Sequence, residues 1–106
     1  GHQKEPSEWR AFLLSTFSYN MLVYLIESIN SGWRYIGQTQ NLEERLKRHN
    51  DGKERSTKKY GPFKLIAFIR VNNRSEAVKL ERKLKAMKSR KNQYKYFYEN
   101  GVIISE

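Results

Sequence analysis

An α+β domain, a small three-stranded antiparallel sheet flanked by helices, is the fold that the sequence predicts. Three observations carry that reading. The segments run strand, strand, helix, strand, helix. The first two strand-like runs are joined by only a short Ser-Ile-Asn-Ser-Gly turn, a connection that antiparallel neighbours need and parallel ones cannot use. The helical segments repeat apolar residues on one stripe, which must be buried against another layer. A chain of 106 residues provides for one domain with one modest core.

The first twenty residues differ in kind from the rest. Their charges, Lys4, Glu5, Glu8 and Arg10, cancel, so the net charge of +10 falls entirely on residues 21–106. Gly1-His2 reads as an expression remnant, and Pro6-Ser7-Glu8 before Trp9, Phe12 and Leu13 suits a short amphipathic helix. Residues 1–20 are therefore read as a leader, 21–90 as the domain, and 91–106 as a tail.

From Met21 to Glu27 the run is apolar on both alternating faces, which predicts a central strand covered on both sides. Ser28–Gly32 is the turn and Trp33–Thr39 the second arm of a hairpin. Gly37 weakens that arm and marks a place of close approach by another backbone or a ligand. Asn41 caps a helix running to about Asn50, which Asp51-Gly52 terminates. Residues 53–62 form a polar, basic loop ending in Gly61-Pro62. Phe63–Val71 is the third strand, and Ser75 caps a second helix reaching about Lys88. The tail, with Tyr94, Tyr96, Phe97 and Tyr98 among lysines, suits a short helix or strand packed on or extending the domain.

Composition bounds the chemistry. Lysine and arginine outnumber the acids by 21 to 11, so polyanions are the expected partners. There is no cysteine, which excludes disulfides and thiolate metal sites and leaves oxygen or imidazole as metal donors. No apolar run approaches the roughly 20 residues of a membrane span, and no secretion signal is visible, so a cytoplasmic protein is expected.

Several side chains fall on a face that their type does not explain. Leu42 and Leu46 set the apolar stripe of the first helix, yet Arg45 and His49, spaced i and i+4, share it. An arginine there requires an anionic partner; the alternative is that Arg45 reaches past the core to solvent and His49 is a satisfied core histidine. On the second helix Ala77, Leu80, Leu84 and Met87 form the stripe, with Glu81 at its edge. Glu81 is the one acid among eight lysines and arginines between Lys79 and Lys95. It is either an ion-pair partner of its helical neighbours or a metal ligand at a cleft, since magnesium is commonly held by one carboxylate, waters and phosphate oxygens. Tyr24 and Tyr35 lie mid-way along the hairpin arms, and they share a face only if paired residue numbers sum to an odd value.

Taken together, Val23-Tyr24-Leu25, Tyr35-Ile36-Gly37, Arg45 with His49, and Glu81 resemble the GIY-YIG nuclease family across residues 21–90. The stretches Gly37-Gln38-Thr39, Leu42 to Asn50 and Glu81 to Lys85 are similar to small stand-alone bacterial members and to the excinuclease C N-terminal domain. The resemblance implies a three-stranded antiparallel sheet flanked by helices and a Mg2+- or Mn2+-dependent hydrolysis of DNA with little sequence preference. It implies that Tyr24 and Tyr35 position or deprotonate the attacking water, Arg45 stabilises phosphate charge, His49 assists proton transfer and Glu81 holds the metal. Two departures stand out: the first motif reads Val-Tyr-Leu rather than Gly-Ile-Tyr, and Gln38 replaces a lysine of many members. Asn92 is the candidate for the family's downstream asparagine.

Substrate contacts are expected from Gly37 and Gln38, from Lys53, Arg55, Lys58 and Lys59 in the loop, and from Arg82, Lys85 and Asn92. Phosphate contacts of this kind give salt-sensitive affinity without sequence information. DNA, structured or damaged, is the expected partner, with a protein partner as a further expectation. Two other readings compete: an inactive nucleic-acid-binding module of the same fold, and an RNA-associated domain that stacks bases on Tyr94, Tyr96 and Tyr98.

Overall fold

The computed structural model describes residues 21–105, so the expected leader of residues 1–20 lies outside the described residues. Met21–Ser28 forms β1, Arg34–Thr39 β2, Phe63–Val71 β3 and Val102–Ile103 β4. Leu42–Asn50 forms α1, Arg74–Ala86 α2 and Arg90–Asn100 α3, with a single 3-10 turn at Lys58–Tyr60. The sheet is antiparallel throughout, in the order β2-β1-β3-β4. The domain is thus α+β as expected, with a fourth, two-residue strand that the sequence does not predict.

β1 is central because both of its faces are apolar, and each face has its own core. Leu22, Tyr24 and Ile26 pack with Leu42 of α1, Phe63, Leu65, Phe68 and Ile104. Met21, Val23 and Leu25 pack on the other side with Ile36, Ile66, Ala67, Ile69, with Ala77 and Leu84 of α2, and with Phe97 of α3. Each of these side chains is nearly removed from water, and such burial stabilises by roughly 1.5–3 kcal/mol per large aliphatic or aromatic group.

The hairpin register sets the position of the site. Tyr24 faces Gly37 and Ile26 faces Tyr35, the odd-sum pairing that puts both tyrosines on the α1 side of the sheet. Gln38, one residue further, consequently turns to the α2 side.

The caps explain where the helices begin. Asn41 accepts from the Glu44 backbone N–H at 3.1 Å and starts α1 as expected, and Asp51 with Gly52 at φ +71° ends it. α2 is capped two residues before the expected Ser75. Asn73 is the better-placed cap: its Oδ1 accepts from Glu76 N at 2.8 Å while Glu76 Oε2 accepts from Asn72 N at 3.1 Å, a reciprocal arrangement like a capping box. α2 also ends at Ala86, short of Lys88, where Gln93 Nε2 donates to the carbonyls of Leu84 and Met87.

The tail completes the core. α3 buries Phe97, and after Gly101 the chain pairs with Ala67 and Phe68. Ser105 then donates its hydroxyl to the Leu65 carbonyl at 2.6 Å. Tyr94 and Tyr96 pack against that core, with Lys83 Nζ 4.6 Å from the Tyr96 ring centre, and Tyr98 alone of the three is exposed, at 68%. The three tyrosines therefore form no shared stacking platform. No described helix is long and apolar enough to cross a membrane.

Candidate active site

His49 is the centre around which the site is built. It sits one residue before the end of α1, on the stripe that packs on the sheet, and is 2% exposed. Its ring meets Tyr24, Tyr35 and Phe63 edge-on, with centroid separations of 5.7, 5.5 and 5.8 Å. Asn50, the next residue, fixes this placement by a two-point clamp: its Oδ1 accepts from Phe63 N at 2.6 Å and its Nδ2 donates to Phe63 O at 3.2 Å.

Both imidazole nitrogens are bonded. Nε2 lies 2.8 Å from the Tyr24 hydroxyl and Nδ1 lies 2.6 Å from the Thr57 hydroxyl. Thr57, fully buried, can itself donate to the Glu54 carbonyl at 3.5 Å. The tautomer that satisfies this chain carries its proton on Nδ1, leaving Nε2 to accept the phenolic proton of Tyr24.

Electrostatics agree with a neutral pair. Burial pushes the Tyr24 phenol well above the ordinary tyrosine range, the neighbouring Tyr35 adds to the rise, and the Arg45 guanidinium beside it opposes. Burial also pulls His49 below the ordinary histidine value; Arg45 and Arg48 add to the fall and the Glu54 carboxylate opposes it. At neutral pH the contact is thus a phenol donating to a neutral imidazole. Tyr24 is not a free phenolate.

Tyr24 reaches His49 because β2 has a glycine beneath it. A Cβ built at Gly37 would lie 2.5 Å from the Tyr24 hydroxyl oxygen and 2.7 Å from Cζ. The close approach that the sequence signalled at Gly37 is that of the Tyr24 ring, and Gly37 itself is buried.

Arg45, one turn before His49, is partly exposed and pairs with Glu54 at 3.7 Å. Glu54 also holds Arg48, Oε1 to Nε at 2.7 Å, and its carboxyl is lowered chiefly by that hydrogen bond. Glu54, Thr57 and Asn50 are not singled out by the sequence. The first two stand in an aperiodic basic loop that gives no face to read, and Asn50 reads as no more than a helix end.

Glu81 approaches from the other face of the sheet, beside edge strand β2. Its Oε2 accepts from Gln38 Nε2 at 2.6 Å and its Oε1 pairs with Lys85 Nζ at 3.0 Å. Lys85 in turn stands 5.5 Å from the Tyr35 ring centre, so β2 joins Glu81 to the tyrosine side. Of the two roles expected of Glu81, these contacts are those of an ion-pair partner. Among the described residues no group of three or more His, Asp or Glu gathers to hold a metal. A half-exposed lysine is a displaceable partner, however, so the donor set fits a single-carboxylate site completed by waters and phosphate oxygens.

Tyr24, Tyr35, Arg45 and His49 are thus brought together, with Glu81 and Gln38 across the edge strand. Lys53, Arg55, Lys58 and Lys59 stand exposed on the loop that follows α1, and Arg82 and Lys85 are exposed on α2. Asn92 is not at the cluster: it lies in the first turn of α3, its backbone N–H donating to the Ser89 cap at 3.2 Å. The neighbouring Arg90 ties that end of α3 to Glu27 at 3.1 Å.

Comparison with known proteins gives the family. The family model described as the GIY-YIG catalytic domain matches residues 20–95. The UPF0213 protein BH0048 of Halalkalibacterium halodurans is 34% identical over 73 residues, 68% of this chain and 77% of that protein. A UPF0213 protein of Bacillus licheniformis is 37% identical over 81 residues, 76% of this chain and 82% of that one. The solution NMR structure of UPF0213 protein BH0048 from Bacillus halodurans covers 76% of this chain and 85% of its own, with 30% identity and a TM-score of 0.47. The family match spans most of the chain and both tyrosine strands, α1 and α2, and with it the chain belongs to the GIY-YIG family.

Proposed function

We propose that this chain is a metal-dependent endonuclease that hydrolyses DNA phosphodiester bonds with little sequence preference. The observation that carries the reading is the buried hydrogen bond from the Tyr24 hydroxyl to His49 Nε2, with Arg45 beside the same hydroxyl. A phenol of raised pKa is a poor base alone. Paired with a neutral imidazole it becomes a relay: as the water oxygen bonds to phosphorus and the scissile P–O bond breaks, the water proton passes to the Tyr24 oxygen, the Tyr24 proton passes to His49 Nε2, and the departing alkoxide takes a proton from solvent. Thr57 keeps the ring in the accepting tautomer, and the Glu54 carboxylate favours the imidazolium that results. Arg45 stabilises the charge that develops on the phosphate oxygens. Glu81 would hold Mg2+ or Mn2+, which when bound supplies further positive charge at the same oxygens.

One observation favours the competing reading of an inactive binding module: both Glu81 oxygens already have protein partners. Nicking of supercoiled plasmid in the presence of magnesium separates the two. Arg45→Ala is expected to slow nicking by about 10²-fold or more with the fold retained, and Glu81→Ala to abolish the metal-dependent part. Wild-type protein that binds plasmid and leaves it uncut would sink the nuclease reading.

The depressed His49 pKa predicts a pH dependence. Below about pH 6.5 the unfolded chain takes up a proton that the folded His49 refuses, so stability falls as pH drops from about 6.5 toward the folded value and is unaffected above that window. Nicking by the folded protein holds across that window and falls only as pH approaches the lowered folded value, where Nε2 ceases to accept. Melting temperatures and nicking rates across about pH 5 to 8 check both, with His49→Gln expected to remove that part of the melting-temperature slope. An identical slope in the variant would contradict the assignment.

A further inference from the structure

Beyond the C-terminal end of β2 a polar cleft of about 230 Å³ opens between the first turns of α1 and α2. Three guanidinium groups line it, Arg45 and Arg48 from α1 and Arg74 from α2, against one carboxylate, Glu44. The cleft is joined to the site on both sides. Arg45 belongs to the Tyr24–His49 cluster, and Arg74 Nη1 reaches Gln38 Oε1 at 3.5 Å while the Gln38 amide donates to Glu81. These bonds fix the orientation of the Gln38 side chain, with its oxygen to the cleft and its nitrogen to Glu81.

We infer that this cleft is a second phosphate subsite, which takes a backbone phosphate of the nucleic-acid strand adjoining the one held at Arg45. Arg74 and Arg48 are its principal ligands. The chemistry favours a phosphate: guanidinium groups from two separate elements converge on one polar hollow, and their planar donor forks match phosphate oxygens better than a lone ammonium does. Position favours a strand in place of a free ion, since Arg45 both lines this cleft and stands beside Tyr24, so a chain held at Arg45 can set its adjoining phosphate here. Glu54 holds Arg48 through its Nε, presenting the guanidinium from a fixed support. The assignment deepens the nuclease reading by naming a strand contact that orients the scissile bond.

The test is metal-free binding of a labelled DNA duplex by the full chain over a series of salt concentrations. Arg74→Gln is expected to flatten the slope of log K against log salt by about 0.9, the value of one lost phosphate contact. Lys95→Gln removes the same charge from an exposed position on α3 and should change the slope by much less. Arg74→Lys, which keeps the charge, should retain most of the slope, and unchanged melting temperatures would show that the variants fold. A slope change no larger for Arg74→Gln than for Lys95→Gln would overturn the subsite. Metal-free binding keeps the two readings apart: a wild type that never nicks, with the Arg74→Gln slope flattened, upholds the subsite and removes the nuclease. Nicking with an unaltered Arg74→Gln slope does the reverse.

Discussion

Tyr24→Phe is expected to slow plasmid nicking by about 10²- to 10⁴-fold, the range for loss of a positioned proton-transfer group. The ring that fills the core remains, so Leu22, Ile26, Leu42 and Phe68 keep their packing. What goes is the hydroxyl bonded to His49 Nε2, through which the proposed relay passes the proton of the attacking water. The same change leaves a buried imidazole nitrogen without its donor, which costs about 1–3 kcal/mol of stability. The two effects are separable. A hydroxyl with only a structural role would lower the melting temperature and leave the rate of the folded fraction near that of wild type. A relay also predicts that Tyr24→Phe with His49→Gln is little slower than either single variant, because groups that act as a unit lose their contribution once. Rates that multiply would exclude the relay.

How far the sequence led depended on periodicity. β1 was legible as the central strand because apolar residues occupy both alternating faces from Met21 to Ile26, and only a strand covered twice uses that pattern. Whether Tyr24 and Tyr35 share a face stayed open between two register parities, and the hairpin register of the structure decides it. The i, i+4 spacing of Arg45 and His49 on the Leu42 stripe foretold a histidine packed inward, and it is buried. Where periodicity stops, so does legibility. Thr57 and Glu54 order His49 and the arginines from a loop whose residues alternate on no face, and nothing in that stretch announces that Thr57 is buried. Asn73 and Ser75 are both good caps by type; Asn73 prevails because Glu76 then stands three residues on, able to reach back. β4 is two residues long, too short for any alternation to announce it.

Gly37→Ala joins the stability of the sheet to the chemistry proposed for it, and its expected effects are large on both. The added methyl would fall 2.5 Å from the Tyr24 hydroxyl and 2.7 Å from Cζ, closer than such atoms approach. A long surface side chain would swing aside, but Tyr24 is 1% exposed, surrounded by core and hydrogen-bonded at its tip. Either the ring or β2 must move. Overpacking of this kind costs about 1–3 kcal/mol, and displacing the phenol from His49 should reduce nicking by about 10²-fold or more, as a misplaced catalytic group does. If the ring is the cause, the damage depends on it. In a Tyr24→Leu background the side chain no longer extends over residue 37, so adding Gly37→Ala should cost much less stability than it does in the wild type. Tyr24→Phe, which retains Cζ, should give little such relief. Equal costs of Gly37→Ala in the wild-type and Tyr24→Leu backgrounds would mean that the glycine serves the backbone of β2 itself, and the link from Gly37 through Tyr24 to His49 would have to be abandoned.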